Sequence, residues 1–112
     1  KVETIGDCYK VLVGGPHQCK HHAQLGVVFS YLMITIVDSI SYRLALPLSC
    51  RCGVHTGKVT AAVVGKTLPR YLIFGRSCEI ANVMEATADV NSVQVSQDTL
   101  ARLGKGWQYD DP

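Results

Sequence analysis

Glu3 and Asp7 lie close together in the opening run Lys1-Val2-Glu3-Thr4-Ile5-Gly6-Asp7-Cys8-Tyr9. Strand alternation puts Lys1, Glu3 and Ile5 on one face and Val2 and Thr4 on the other. Gly6 has the backbone freedom of a tight turn, and Asp is a common turn partner. A carboxylate held on such a turn is rigid and open, and its hard oxygens suit a cation such as Mg²⁺. The same residues suit a plain hairpin turn at Asp7 and a solvated strand position at Glu3. On these nine residues alone the plain turn and solvated strand position are the expectation.

A second group of possible ligands is His17, Cys19, His21 and His22. His17 and His21 are i, i+4 neighbours if a helix begins there. No matching pair elsewhere completes a tetrahedral set, so an exposed helix start is the expectation. The five cysteines are odd in number and irregularly spaced, unlike a disulfide framework. Cys50-Arg51-Cys52 puts two thiols on one strand face, too close in sequence for a zinc knuckle. The expectation is a reducing compartment and free, mostly buried thiols. Cys8, beside Asp7, reads as a packing residue because nothing around it lowers a thiol pKa.

The elements that must position these groups alternate along the chain. A hairpin is expected from Val2 to about Val13, with Cys8 to Val13 as its second arm and Gly14-Gly15-Pro16 as its end. A helix is expected from about Cys19 to Ile40, with Val28, Leu32, Ile36 and Ile40 in one i, i+4 row and Leu25 with Phe29 in another. Its apolar stretch, Leu25 to Val37, is shorter than the roughly 20 residues a membrane span needs. A helix packed between a sheet and a neighbour is the expectation.

Leu48 to His55 and Lys58 to Gly65 read as a second hairpin around Thr56-Gly57. Tyr71 to Gly75 reads as a short buried strand. Ser77 is the expected N-cap of a helix reaching about Ala88, with Ile80, Ala81, Met84 and Ala88 inward. Val93 to Val95 is a further strand, Ser96 opens a small helix to Leu103, and Gly104 stops it. Trp107 to Tyr109 reads as the start of another strand. Such mixed elements mean an α/β or α+β sandwich.

Bulk properties narrow the classes. A chain of 112 residues with 47% hydrophobic and 18% charged content is one folded domain or part of one. A net charge of +2 gives no footprint for nucleic acid or an acidic membrane surface. The first residue is Lys and a strand follows at once, which reads as a fragment of a longer protein.

The blocks KVETIGDCY, a helix opening HHA, RCGVHTGKVTAAVVGKTLPRYLIFG, ANVMEAT and SVQVS follow in that order. Together they resemble the catalytic domain of class III nucleotidyl cyclases, nearest the guanylyl cyclases, from Lys1 to about Leu103. The resemblance implies an α+β fold, a ferredoxin-like class III cyclase core truncated at both ends, with residues 1–112 a partial catalytic domain. It implies head-to-tail dimers with active sites at the interface. The implied reaction converts GTP to 3′,5′-cyclic GMP and pyrophosphate with two Mg²⁺ or Mn²⁺ ions per active site.

The resemblance also assigns residues. Asp7 matches the family's second metal-binding aspartate, which bridges the ions. Glu3 matches the purine-selecting position, where a carboxylate accepts from guanine N1–H and the 2-amino group. Leu72 stands at the second purine contact, where guanylyl cyclases have Cys and adenylyl cyclases Asp. Leu can neither donate to guanine O6 nor accept from adenine N6. Glu79 and Val83 stand where the family has the ribose-orienting Asn and the phosphate-stabilising Arg, so no catalytic residue of that pair is intact. Asn82 is out of register. Losing a preorganised donor costs about 10²–10³ in rate, and losing a phosphate-clamping Arg about 10³–10⁵.

The family's first metal aspartate lies in an opening strand upstream of Lys1, and its phosphate-binding Lys lies beyond Pro112. Lys105 is not assigned that role. The implied partners are GTP and a second cyclase domain, with no nucleic acid and no membrane contact by this domain. In such a dimer each active site takes its metal aspartates from one chain and its purine, Asn and Arg groups from the other, so this chain donates the metal-binding half of an asymmetric dimer. Glu3 then lines a second, non-catalytic pocket, and the fragment alone is expected to be inactive. The alternatives are a degenerate cyclase-homology module that dimerises and binds nucleotide, and an adenylyl cyclase. The domain is expected to be cytoplasmic, in a parent that is soluble or membrane-anchored.

Overall fold

Gly6 takes a φ of 58° in the computed structural model, which describes residues 1–110. Glycine enters this left-handed region without a Cβ penalty. With Asp7 it joins β1 (Glu3–Ile5) to β2 (Cys8–Lys10). The pairing is antiparallel, with Glu3 opposite Lys10, Thr4 opposite Tyr9 and Ile5 opposite Cys8. The expected arm to Val13 ends sooner. Beyond the ladder Val2 N–H donates to the Lys10 carbonyl at 2.8 Å, and β2 ends at Lys10.

Helix α1 (His22–Leu44) has 23 residues, starting later and ending later than the periodicity suggested. Ala45, in the left-handed region at φ 52°, turns its N–H back to the Ser41 and Tyr42 carbonyls and ends it. By length and mean hydropathy (1.6) α1 suffices to cross a membrane, unlike the shorter stretch read from the sequence. A soluble core helix and an anchoring segment both meet that test.

The core is small and lies on one edge of α1. Ala23 and Val27 of α1 and Leu103 are buried together, with Val54, Val95, Leu100 and Trp107 packed around them. Val28, Leu32, Ile36 and Ile40 are 44%, 56%, 52% and 41% exposed. The i, i+4 row is therefore not the face that meets the rest of the described chain. Periodicity marks an apolar face without showing what covers it.

The expected second hairpin does not form. Strand β3 (Cys52–Val54) instead pairs in parallel with β6 (Val93–Val95). Strand β4 (Thr60–Val64) pairs antiparallel with β5 (Arg70–Phe74), from Thr60 opposite Phe74 to Val64 opposite Arg70. Turn chemistry at Thr56-Gly57 suits a hairpin, but β4 finds its partner across Gly65 to Pro69. The ends of β5 are exposed, so it is no buried strand.

Helix α2 (Arg76–Ala86) begins after Gly75, without a side-chain cap. Ser77, the expected cap, donates its hydroxyl to the Lys58 carbonyl at 2.7 Å. Helix α2 lies so close on β3 that a Cβ on Gly53 would overlap the Glu85 backbone nitrogen and reach 2.6 Å from the Met84 carbonyl carbon. Ser96 does cap α3 (Gln97–Leu103), accepting from Thr99 N–H. Gln24 of α1 donates to the Arg102 carbonyl at 2.9 Å and ties α3 to α1. Trp107 to Tyr109 form no strand.

Candidate functional site

The register of the first hairpin decides what stands beside Glu3. Lys10, directly opposite, donates from Nζ to Glu3 Oε1 at 3.0 Å. Arg70 of β5 brings Nη2 to 3.8 Å from Glu3 Oε2. The Glu3 and Lys10 side chains are 19% and 21% exposed, whereas that of Arg70 is 62% exposed. The first pair is shielded and short; the second is long, open to solvent and worth little.

Leu72 follows Arg70 by one strand repeat, so both leave the same face of β5. It sits opposite Ala62 and is half-buried. The fold thus gathers Glu3, Lys10 and Arg70 and puts Leu72 on the strand face next to them. Sequence reasoning singled out Glu3 and Leu72 but missed Lys10 and Arg70. A signal for Lys10 was available: a two-residue turn at Gly6-Asp7 places residue 10 opposite residue 3. The resulting surface sets a carboxylate acceptor beside an ammonium donor. That pattern complements a planar edge offering N–H next to C=O.

Asp7 is exposed at the turn and borders a cleft of about 1320 Å³. Residues of β2 and β3 line the cleft, and among the described residues each of these strands has one partner, β1 and β6 respectively. Among the described residues no group of three or more His, Cys, Asp or Glu side chains is gathered to hold a metal ion. That applies to His17, Cys19, His21 and His22 as well as to Asp7.

Glu79 and Val83 lie one turn apart on α2, and both are exposed. Among the described residues the Glu79 side chain has neither a hydrogen bond nor an ion pair. Neither side chain offers a donor to an anion.

A polar cluster not foreseen from the sequence closes the end of β3. His55 Nδ1 lies 2.7 Å from Ser96 Oγ and 3.9 Å from Asp98 Oδ2. Thr99 Oγ1 lies 2.9 Å from Thr56 Oγ1 and donates to the Val54 carbonyl. Ser, His and Asp are together here, but one ring nitrogen faces both partners. A hydrolytic triad needs the two nitrogens to face opposite ways. The Ser96 oxygen is also engaged as the α3 cap, so the cluster fastens β3 to α3.

All five thiols are free and half-buried, less buried than the sequence suggested. Burial, and then the neighbouring Cys50, push the Cys52 thiol from 9.0 up to about 12.

Against known families, residues 1–111 match the family model described as the adenylate and guanylate cyclase catalytic domain. Soluble guanylate cyclase gcy-35 of Caenorhabditis elegans is 39% identical over 101 residues, covering 87% of this chain and 14% of that protein. Guanylate cyclase soluble subunit alpha-1 of Canis lupus familiaris is 35% identical over 103 residues, covering 92% and 15%. Among solved structures, the guanylate cyclase domain of RhGC from Catenaria anguillulae in complex with GTP superposes with a TM-score of 0.85 at 29% identity, covering 93% of this chain and 57% of that one. A dimeric guanylyl cyclase domain of the RhoGC fusion protein from Blastocladiella emersonii gives 0.85 at 28% identity, covering 91% and 57%. The chain therefore spans about a seventh of these curated relatives and over half of the solved domains. With 93% of the chain superposed, the 23-residue α1 lies largely inside the shared fold.

Proposed function

The chain belongs to the adenylate and guanylate cyclase catalytic domain family, and on that footing we propose that it binds GTP and supplies the metal-binding half of an active site shared with a second cyclase domain. Its fold is the mixed α/β, ferredoxin-like core of the class III cyclases. The reaction is the conversion of GTP to 3′,5′-cyclic GMP. The ribose 3′-oxygen loses its proton and bonds to the α-phosphorus, and pyrophosphate leaves.

The observation that carries the choice of GTP is the Glu3–Lys10 pair. Guanine N1–H and its 2-amino group donate to the Glu3 carboxylate, and guanine O6 accepts from Lys10 Nζ beside it. Lys10 thereby supplies the donor that Leu72 lacks. Adenine places an amino group where guanine has O6 and has no N1–H. It would give the carboxylate neither of the base donors that guanine offers and set N–H against ammonium, a costly mismatch.

Asp7 fits one place in a divalent-ion site, because it presents hard oxygens on a tight, exposed turn. The remaining ligands come from outside the described residues. The family's opening strand, laid in the cleft between β2 and β3, would bring its aspartate next to Asp7. Two Mg²⁺ or Mn²⁺ ions held there would lower the pKa of the 3′-hydroxyl and offset phosphate charge. The chain's own role in the shared site is to hold Asp7 rigid through the Gly6 turn, while Glu3 and Lys10 of β1 and β2 dock guanine in the second, non-catalytic pocket of the dimer.

A second reading, a degenerate module that binds nucleotide and dimerises without turnover, draws on Glu79 and Val83, which offer the phosphates no cation. One experiment separates the two. The domain, extended to the length of its solved relatives, is mixed with a cyclase domain that carries the Asn and Arg, and cyclic GMP is assayed with Mn²⁺. Activity found only in the mixture and lost with Asp7→Ala supports the half-site enzyme. Activity of this domain alone refutes the half-site reading, and silence with every partner supports the module. Competition between GTP and ATP analogues tests the weaker adenylyl cyclase reading.

A further inference from the structure

Cys50 and Cys52 leave the same face of an extended segment, as alternation requires. Their sulfurs converge to 3.8 Å, which is van der Waals contact. Both border the cleft, and Cys52 also approaches the Ser30 carbonyl of α1 at 3.7 Å. Arg51 leaves the opposite face and reaches Glu85 of α2 at 3.3 Å. The backbone around the pair is clamped to the loop before β6. Asn91 N–H donates to the Cys50 carbonyl at 2.9 Å, and Cys52 N–H to the Ser92 carbonyl at 3.1 Å. Among the described residues no hydrogen bond joins any other two thiols.

We propose that Cys50 and Cys52 form a redox-active dithiol that closes to an intramolecular disulfide by exchange with a low-molecular-weight disulfide. The Cys50 thiolate attacks one sulfur of that oxidant, forms a mixed disulfide and releases one small thiol. Cys52 then gives its proton to solvent base and attacks Cys50 Sγ, releasing the second small thiol. Two electrons pass from the dithiol to the oxidant, so one small disulfide becomes two small thiols as one protein disulfide forms. The raised pKa of Cys52 keeps it protonated at rest, which leaves Cys50 as the entry point.

Contact in the folded chain removes most of the search that the second step would otherwise need. Closure still has a structural cost. The sulfurs must approach from 3.8 Å to about 2.05 Å. Alternate Cα atoms of an extended strand are about 6.6 Å apart, near the upper limit for a disulfide. The strand must therefore pinch at Arg51 against the Asn91 and Ser92 clamps. A strained disulfide of this kind is readily reduced, as a reversible site requires. The pinch falls at the residue whose side chain is paired with Glu85 of α2.

The sequence provides its own test. The reduced chain is titrated with oxidised glutathione, alkylated, digested with trypsin without reduction and weighed. Cleavage after Arg43, Arg51 and Lys58 separates the two thiols in the reduced chain. After oxidation, segments 44–51 and 52–58 should stay joined and unalkylated, while Cys8, Cys19 and Cys78 remain labelled. Dithiothreitol should restore both labels. Cys52→Ser should stop at the mixed disulfide on Cys50, and Cys50→Ser should leave Cys52 unoxidised. A wild-type chain that accumulates the mixed disulfide without joining the segments overturns the proposal. So does joining that proceeds equally fast in denaturant, where the folded contact is absent.

Discussion

Replacing Lys10 with Met keeps the length and the apolar stem of the side chain and removes one charge and three donors. The lost groups stand 3.0 Å from Glu3 Oε1, with about four-fifths of each side chain shielded. A hydrogen bond to a charged group contributes about 1.5–3 kcal/mol net. Guanine O6 would lose its donor, whereas adenine would lose an unfavourable N–H-to-ammonium contact. Arg70, at 3.8 Å and 62% exposed, does not replace it. The preference for GTP over ATP should therefore fall by roughly 10- to 150-fold, by the conversion of about 1.4 kcal/mol per decade. The assay is equilibrium titration with fluorescent GTP and ATP analogues. Binding is the right readout because Glu79 and Val83 offer the phosphates no cation. Glu3→Gln should weaken GTP binding in the same range. A GTP affinity that rises in Lys10→Met would refute the reasoning, since Lys10 would then be occupying the pocket. A ratio unchanged within about twofold would refute it equally.

Three further outcomes are expected. Glu79→Asn combined with Val83→Arg should give the extended domain Mn²⁺-dependent cyclic GMP formation without a partner, raising its turnover by about 10³ or more; both positions are exposed, so circular dichroism should be unchanged. Ser96→Ala removes the α3 cap and the 2.7 Å partner of His55, and should cost about 1–3 kcal/mol in urea unfolding. Cys52 has its folded pKa raised from 9.0 to about 12, so its contribution to stability is complete below about pH 9 and is lost as pH rises toward 12. Cys52→Ser should flatten the fall of unfolding free energy across that window relative to wild type, and an equal slope in both proteins would contradict it.

How much of this was legible in the chain differs from element to element. The Gly6-Asp7 turn, β6 and the short helix opening at Ser96 were all readable, because each depends on neighbours in sequence. The partners of β3 and β4 were not. Thr56-Gly57 satisfies the chemistry of a hairpin, yet β3 pairs with a strand that comes after α2. Local rules rank turns; they do not weigh them against packing such as that of α2 on Gly53. Among the site residues, Glu3 and Asp7 could be named from their motif. Lys10 could be found only by carrying the hairpin register one step further.

The sequence by itself determined the family, the order of the elements, the acids at Glu3 and Asp7, and the presence of Glu79 and Val83 on the helix that follows Phe74-Gly75. These are properties of residue identity and spacing, and they survive any error in packing. Tertiary structure decided which atoms meet. It set Lys10 and Arg70 on the two oxygens of Glu3, brought Cys50 and Cys52 into sulfur contact, and turned an edge of α1 inward rather than its longest apolar row. Such contacts depend on register, rotamers and the competition among distant surfaces for burial. No single segment of the chain encodes the result of that competition.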